Sequence, residues 1–299
     1  MALDHIGLMS RNRSFLLVGF AYLLALLVAI ITGWLNSDRH PLIVVALADV
    51  CATCVIFIFS LVFRNSSFYD PYWSVAPPVI CVYLWMIGDT PNSVRSFTVM
   101  TLVWIWAVRL THNWAKGWQG IRHADWRYVN LQRTLGIYWW PVSFFGIHMM
   151  PTVMVYLGCL ALYPIFASQA GALNFLDLCA LAMLTSSIWI ETVADLELHR
   201  FRARRPSNSE LLTSGVWSWC RHPNYLGELG FWLGLAITAL AAGPGNSWTM
   251  VGPITMLCLF LVVSIPMIEN RLTASKPAYI HYKSRSFALL PISALRGRN

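Results

Sequence analysis

Apolar residues along this chain come in long, nearly unbroken runs. Eight stand out: Ser14–Trp34, Pro41–Phe63, Trp73–Gly88, Phe97–Leu110, Tyr138–Phe166, Ala172–Val193, Leu229–Ala242 and Ser247–Pro266. Several reach the roughly 20 residues that an α-helix needs to cross a bilayer core of about 30 Å. The third, fourth and seventh are shorter. The first is too long for the apolar part of a secretory leader, and no A-x-A-like site follows it, so it reads as a transmembrane helix. Gly243-Pro244-Gly245-Asn246 marks a tight turn between the last two runs. No internal repeat or low-complexity segment interrupts the pattern. The expected fold is all-α: a polytopic membrane helix bundle of about seven to eight crossings, with residues 1–299 forming one transmembrane domain.

Composition agrees. Of 299 residues, 57% are hydrophobic and 11% are charged, against roughly 25% charged in an ordinary soluble domain. Seven cysteines lie mostly inside apolar runs. Cys51 and Cys54 share a helical face within an apolar stretch and read as buried thiols. No second C-x-x-C or histidine cluster completes a zinc site, so no metal is expected.

Charge sets the orientation. Lysines and arginines gather at Arg109–Arg133, at Arg200–Arg221 and in the tail after Pro266, which ends with Arg296 and Arg298; the loops near 168–171 and 243–246 have none. Because cytoplasmic loops are enriched in basic residues, these regions share one side, the cytoplasm, and eight crossings put Arg11 and Arg13 there too. The net charge of +8 then follows from topology and attraction to anionic lipid. Nucleic acid is not an expected partner.

Three polar clusters interrupt this plan. Gly215–Glu228 reads GVWSWCRHPNYLGE and leads directly into an apolar run. Pro223 suits the first turn of a helix. Asn224 and Glu228 then share a face, at a helix end whose free N–H groups favour anions. A glutamate one turn into a membrane helix is costly unless paired or bound to something. In IWIETVADLELHRFRARRP, Glu191 and Asp195 are one turn apart and Arg200, Arg202, Arg204 and Arg205 follow. Carboxylates hold ribose or amide donors and arginines hold phosphate, which suits a nucleotide. NSSFYDPYWSVAPP places Tyr69, Asp70, Tyr72 and Trp73 ahead of the third run, where an interfacial aromatic belt and a helix cap are the plainer roles. The tail, with Glu269, Arg271, Lys276, Tyr279 and Tyr282, is too polar to span and reads as a lid over the same face.

In order and spacing, E-T-V-A-D with F-R, then G-V-W-S-W-C-R-H-P-N-Y-L-G-E, then E-N-R with K-P-A-Y-I-H-Y and F-A-L-L-P resemble the steroid 5α-reductase family of membrane oxidoreductases, nearest its bacterial-type members. N-S-S-F-Y-D-P-Y-W-S, W-A-V-R-L-T-H-N-W and D-W-R-Y extend the resemblance over about 230 residues. The resemblance implies NADPH bound near the cytoplasmic face and reduction of a conjugated enone, as in 3-oxo-Δ4 steroids. Asp195, Arg202, Asn224, Tyr225, Glu228, Arg271 and Tyr279 would hold the cofactor, with Arg109, Asn113 and His222 beside them. The acid that polarises the substrate carbonyl falls at Asp70, with Tyr69 as its neighbour. The family's substrate-facing tyrosine falls at Trp106, whose indole N–H donates but supplies no proton readily. Residues 1–137 would form much of the substrate side and 138–299 most of the NADPH site. R-H-P-N-Y also resembles isoprenylcysteine carboxyl methyltransferases, which use S-adenosylmethionine. Such a cofactor has no phosphate for the Arg202 cluster. A non-catalytic lipid-binding or transport role would require polar groups at mid-bilayer in several helices, and the runs carry few. The expectation is an integral membrane monomer acting on a lipophilic, steroid-like substrate among membrane lipids. Its cofactor side would be cytoplasmic, at the inner membrane in a bacterium.

Overall fold

The computed structural model describes residues 10–88, 93–166, 171–205, 207 and 210–291; Arg296, Arg298 and most of the basic-poor loop near 168–171 lie outside them. The long helices are α1 (Arg11–Leu35), α2 (Pro41–Val62), α3 (Tyr72–Ile87), α4 (Val94–Gly117), α5 (Trp126–Phe166), α6 (Phe175–Ala203), α7 (Pro223–Ala242) and α8 (Pro244–Ser275), followed by the short α9 (Ala278–Arg285). No strand occurs among the described residues. Seven of these helices, all but α3 and α9, are long and apolar enough to cross a membrane. The chain is a polytopic membrane helix bundle.

The third expected crossing is the exception. At 16 residues, α3 is only about 24 Å long, less than the bilayer core. It nonetheless runs through the bundle, with Tyr72, Ala76, Ile80, Cys81 and Leu84 buried. A Cβ on Gly88, just past its end, would collide with the Phe166 carbonyl at the end of α5. The eight segments therefore alternate in direction, and the basic regions meet at one end. Arg11 donates to the Trp118 carbonyl, Asn65 to the Ile121 carbonyl, and Tyr282 to the Trp217 carbonyl. At the other end Arg95 grips both oxygens of Asp177 and the Gly171 and Ala241 carbonyls.

Two local devices shape the interior. Gly227, Gly230 and Gly234 line the face of α7 that meets α6, where an added Cβ would strike Glu191, Ser187 and Leu184 respectively. Small residues at this spacing let two helix backbones approach closely. Wide, π-type turns also replace regular helix at Ser143–Met149 in α5 and Phe260–Ser264 in α8. Each ends just before a proline, Pro151 or Pro266, whose missing N–H leaves the carbonyl four residues back without its usual partner. Both stretches flank the same cavity. Cys51 and Cys54, expected as buried thiols, are free and half-buried.

Candidate functional site

Most of the polar groups singled out in the sequence converge on one cavity of about 580 Å³ near the basic end. Its lining includes Tyr69, Asp70, Arg109, Asn113, Asp195, Asn224, Tyr225 and Glu228. They come from both halves of the chain. The first turns of α7 present Asn224 and Tyr225, and the Tyr225 ring stacks on Phe260 at 4.6 Å.

Glu228 is 6% exposed and is fastened by three indoles. Its Oε1 accepts from Trp73 Nε1 at 3.0 Å and Trp232 Nε1 at 2.9 Å, and its Oε2 accepts from Trp106 Nε1 at 3.2 Å. An indole only donates, so in all three bonds the carboxyl oxygens of Glu228 accept. Gly158 makes room for it: the Trp232 ring lies 2.4 Å from where a Cβ would be. Trp106 therefore does not take the substrate-facing place expected for it. It is fully buried, stacked on Phe231 at 4.5 Å, with its N–H committed to Glu228.

Arg109 bridges the two α6 carboxylates, bonding Glu191 Oε2 and, at 2.8 Å, Asp195 Oδ2. Asn113 donates to the same Asp195 oxygen at 3.0 Å, and its own carbonyl oxygen lies 2.6 Å from His199 Nε2. Glu191 is 2% exposed. Buried charges need such partners, because removing one leaves the other uncompensated.

Tyr69 and Asp70 line the same cavity. Asp70 Oδ1 accepts from the Tyr128 hydroxyl at 2.8 Å. Burial pushes its carboxyl up to about 6, against the opposing pull of the Tyr128 hydrogen bond. The Tyr69 hydroxyl lies 2.6 Å from Thr152 Oγ1, and burial raises it well above the usual phenol range. Nearby, burial works to raise the Asp125 carboxyl, but the bidentate bond from Arg127 outweighs it and the group is lowered.

A second chamber of about 230 Å³ shares Asp70, Asn113, Asp125 and Asp195 with the first and extends to His199 and Arg202. The remaining candidates lie elsewhere. His222 joins Arg221 and Lys283 on Glu269, beneath the C-terminal tail, whose backbone bonds to Arg221 and His222. Tyr279 is buried against Tyr282, and the Arg271 guanidinium sits 4.0 Å over the Trp126 ring. The tail is thus pinned to the start of α7, and neither His222 nor Tyr279 lines the cavity.

Sequence reasoning left Asp125, Arg127 and Tyr128 without a role, although D-W-R-Y carried the signal: an acid capping a helix start beside a base and a phenol. Trp73, read as an interfacial aromatic, is a donor to Glu228. Trp232 gave no signal, being one more aromatic in an apolar run.

The family described as "Protein of unknown function (DUF1295)" matches residues 56–286. An uncharacterized protein of Schizosaccharomyces pombe is 24% identical over 301 residues, covering 91% of this chain and 87% of the yeast protein. No solved structure matches.

Proposed function

The chain belongs to the DUF1295 family, and we propose that it is a membrane oxidoreductase using NADPH to reduce the C4=C5 bond of 3-oxo-Δ4 steroids or similar lipophilic enones. The observation that carries this reading is the shared cavity. It is lined by the Tyr69–Asp70 pair together with Arg109, Asn113, Asp195, Asn224 and Glu228, with the Arg202 chamber adjoining. About 580 Å³ falls within the usual range of small-molecule sites, roughly 300–1,000 Å³.

The residues fit a dinucleotide in their donor and acceptor chemistry. Arg202 is exposed at the outer chamber, where a guanidinium suits a phosphate. Asn224 and Asn113 can take amide or hydroxyl partners, and Asp195 can accept from ribose. Bound there, the cofactor supplies a hydride to the β carbon of the enone. The chain's own part is to stabilise the oxygen that becomes negative. Tyr69 and the acid form of Asp70 donate hydrogen bonds to it, in an apolar surrounding where such bonds count most. With Asp70 titrating near 6, about one molecule in ten carries that proton at pH 7 before substrate excludes water.

One observation favours a second reading. The cavity is lined by five carboxylates (Asp70, Asp125, Glu191, Asp195, Glu228) and only two guanidinium groups (Arg109, Arg127). An acidic wall suits the sulfonium of S-adenosylmethionine, the methyl donor of the isoprenylcysteine methyltransferase alternative. Equilibrium binding of purified protein to NADPH, NADH and S-adenosylmethionine separates the two: the reductase reading requires NADPH to bind and S-adenosylmethionine not to.

A further inference from the structure

The cavity has a side opening between α5 and α8. Among the described residues that line it, only Val142 on α5 and Val263 on α8 are exposed, each at 38%. Phe145 and Val262 beside them are more exposed still. Both helices are long and apolar enough to cross a membrane. Charged residues begin only at Arg133 on α5 and Glu269 on α8, about 14 and 9 Å along the helices from Val142 and Val263. The opening therefore faces acyl chains, not water. Packing farther along the same pair explains the gap. Toward the opposite end of the bundle the two backbones touch, and a Cβ on Gly252 would sit 2.8 Å from Gly158 Cα. Met154 and Met150 then pack on the cluster that holds Leu259 and Phe260. One turn closer to the basic end, Gly146 lines the cavity with no side chain, and an added Cβ would meet nothing within 4 Å. The helices part there, and a slot is left between them.

We propose that the slot framed by Val142, Gly146 and Val263 is the port through which the lipophilic substrate passes between the bilayer and the cavity. That the passenger is an enone rests on the reductive reading above; the port itself does not. Its rim is apolar, so a lipophile moving from acyl chains into the cavity never has to expose its apolar surface to water. A dinucleotide cannot use the same path, because charged phosphates are costly in hydrocarbon. Its path is the outer chamber at the basic end, lined by Asn113, Asp195, His199 and Arg202. Each ligand thus has its own route, and neither must leave for the other to bind. Gly146 is the position that keeps the port open: any larger residue there projects into the slot.

The test uses the full chain in phosphatidylcholine vesicles with Gly146→Phe, Gly146→Ala and Val263→Trp. Phenylalanine at 146 enters open space, and tryptophan at 263 adds bulk from the other rim, where the side chain is already exposed. A 3-oxo-Δ4 steroid carrying a diazirine, irradiated in the bilayer, should insert into the parent at Met150 and Leu259, the foot of the slot. Insertion should be lost in Gly146→Phe and Val263→Trp and kept in Gly146→Ala. In single-turnover NADPH oxidation the two bulky variants should lower the second-order rate at low steroid by about tenfold or more. The rate at saturating steroid and the NADPH affinity should stay near the parent's. Parent-like capture in both bulky variants, insertion that survives in them, or insertion confined to the outer chamber near His199 and Arg202 overturns the port. So does insertion at Met150 from a diazirine phosphatidylcholine that excess steroid fails to displace, because a resident lipid then fills the slot. A parent that is labelled in the slot but never oxidises NADPH with an enone supports the port and overturns the reductive reading.

Discussion

Replacing Glu228 with glutamine swaps one of its two acceptor oxygens for a donor, against three indoles that can only donate. The remaining oxygen can keep Trp73 and Trp232, which now share Oε1 at 3.0 and 2.9 Å. The new amide N–H₂ would then face Trp106 Nε1, which now bonds Oε2 at 3.2 Å. Trp106 is fully buried, so its N–H has no water to turn to. A buried donor left unsatisfied costs about 1–3 kcal/mol. The assay is a double-mutant cycle on thermal unfolding of the purified protein, with Glu228→Gln, Trp106→Phe and the pair. Trp106→Phe removes the orphaned N–H, so in the Glu228→Gln background it should cost about 1–3 kcal/mol less than it does in the parent. Purely additive effects, within the roughly 0.3–0.5 kcal/mol scatter seen for independent sites, would refute the indole clamp.

Three further outcomes follow from the same geometry. In single-turnover reduction, Asp70→Ala should lower the rate by about 10²–10³, as loss of one oxyanion donor does, with NADPH affinity unchanged; Asp70→Asn keeps an N–H donor and should retain more. Because the folded Asp70 carboxyl titrates near 6 and an unfolded one near 3.9, the folded state holds more protons between those values. Stability should therefore fall as pH rises through that window, and activity that needs the acid form should fall above about pH 6; Asp70→Asn should flatten both profiles. Gly227→Leu should block the close approach of α7 to α6, since even a Cβ there would sit 2.4 Å from Glu191 Cγ, lowering the yield of folded protein and abolishing ligand binding, whereas Gly245→Ala, with open space around it, should do neither.

Apolar runs made the helices legible, because length and hydropathy alone dictate which segments suit a bilayer. Their ends were less so. The expected Phe97–Leu110 run is the middle of a helix from Val94 to Gly117, since Arg109 and Asn113 turn into the cavity and so can extend a membrane helix that looks interrupted in sequence. The start of α7 moved back from Leu229 to Pro223 for the same reason: Asn224 and Glu228 are polar but face the interior. Pairs one turn apart, such as Glu191 with Asp195, were readable from spacing because helical geometry fixes them. Long-range partners were not. Trp106 and Glu228 are 122 positions apart, and nothing local tells an indole that clamps a carboxylate from one that packs in lipid. His222 sits within the polar stretch yet turns to Glu269, a choice decided by the tail that folds back over it.

The central claim is that the cavity holds a phosphorylated nicotinamide dinucleotide for reduction of a lipophilic enone. The most direct measurement is NADPH oxidation by purified protein in lipid vesicles with a 3-oxo-Δ4 steroid, alongside equilibrium binding of NADPH, NADH and S-adenosylmethionine. The account predicts steroid-dependent oxidation, tighter binding of NADPH than NADH with the difference lost in Arg202→Ala, and no binding of S-adenosylmethionine. Tight binding of S-adenosylmethionine with no measurable affinity for NADPH would contradict it.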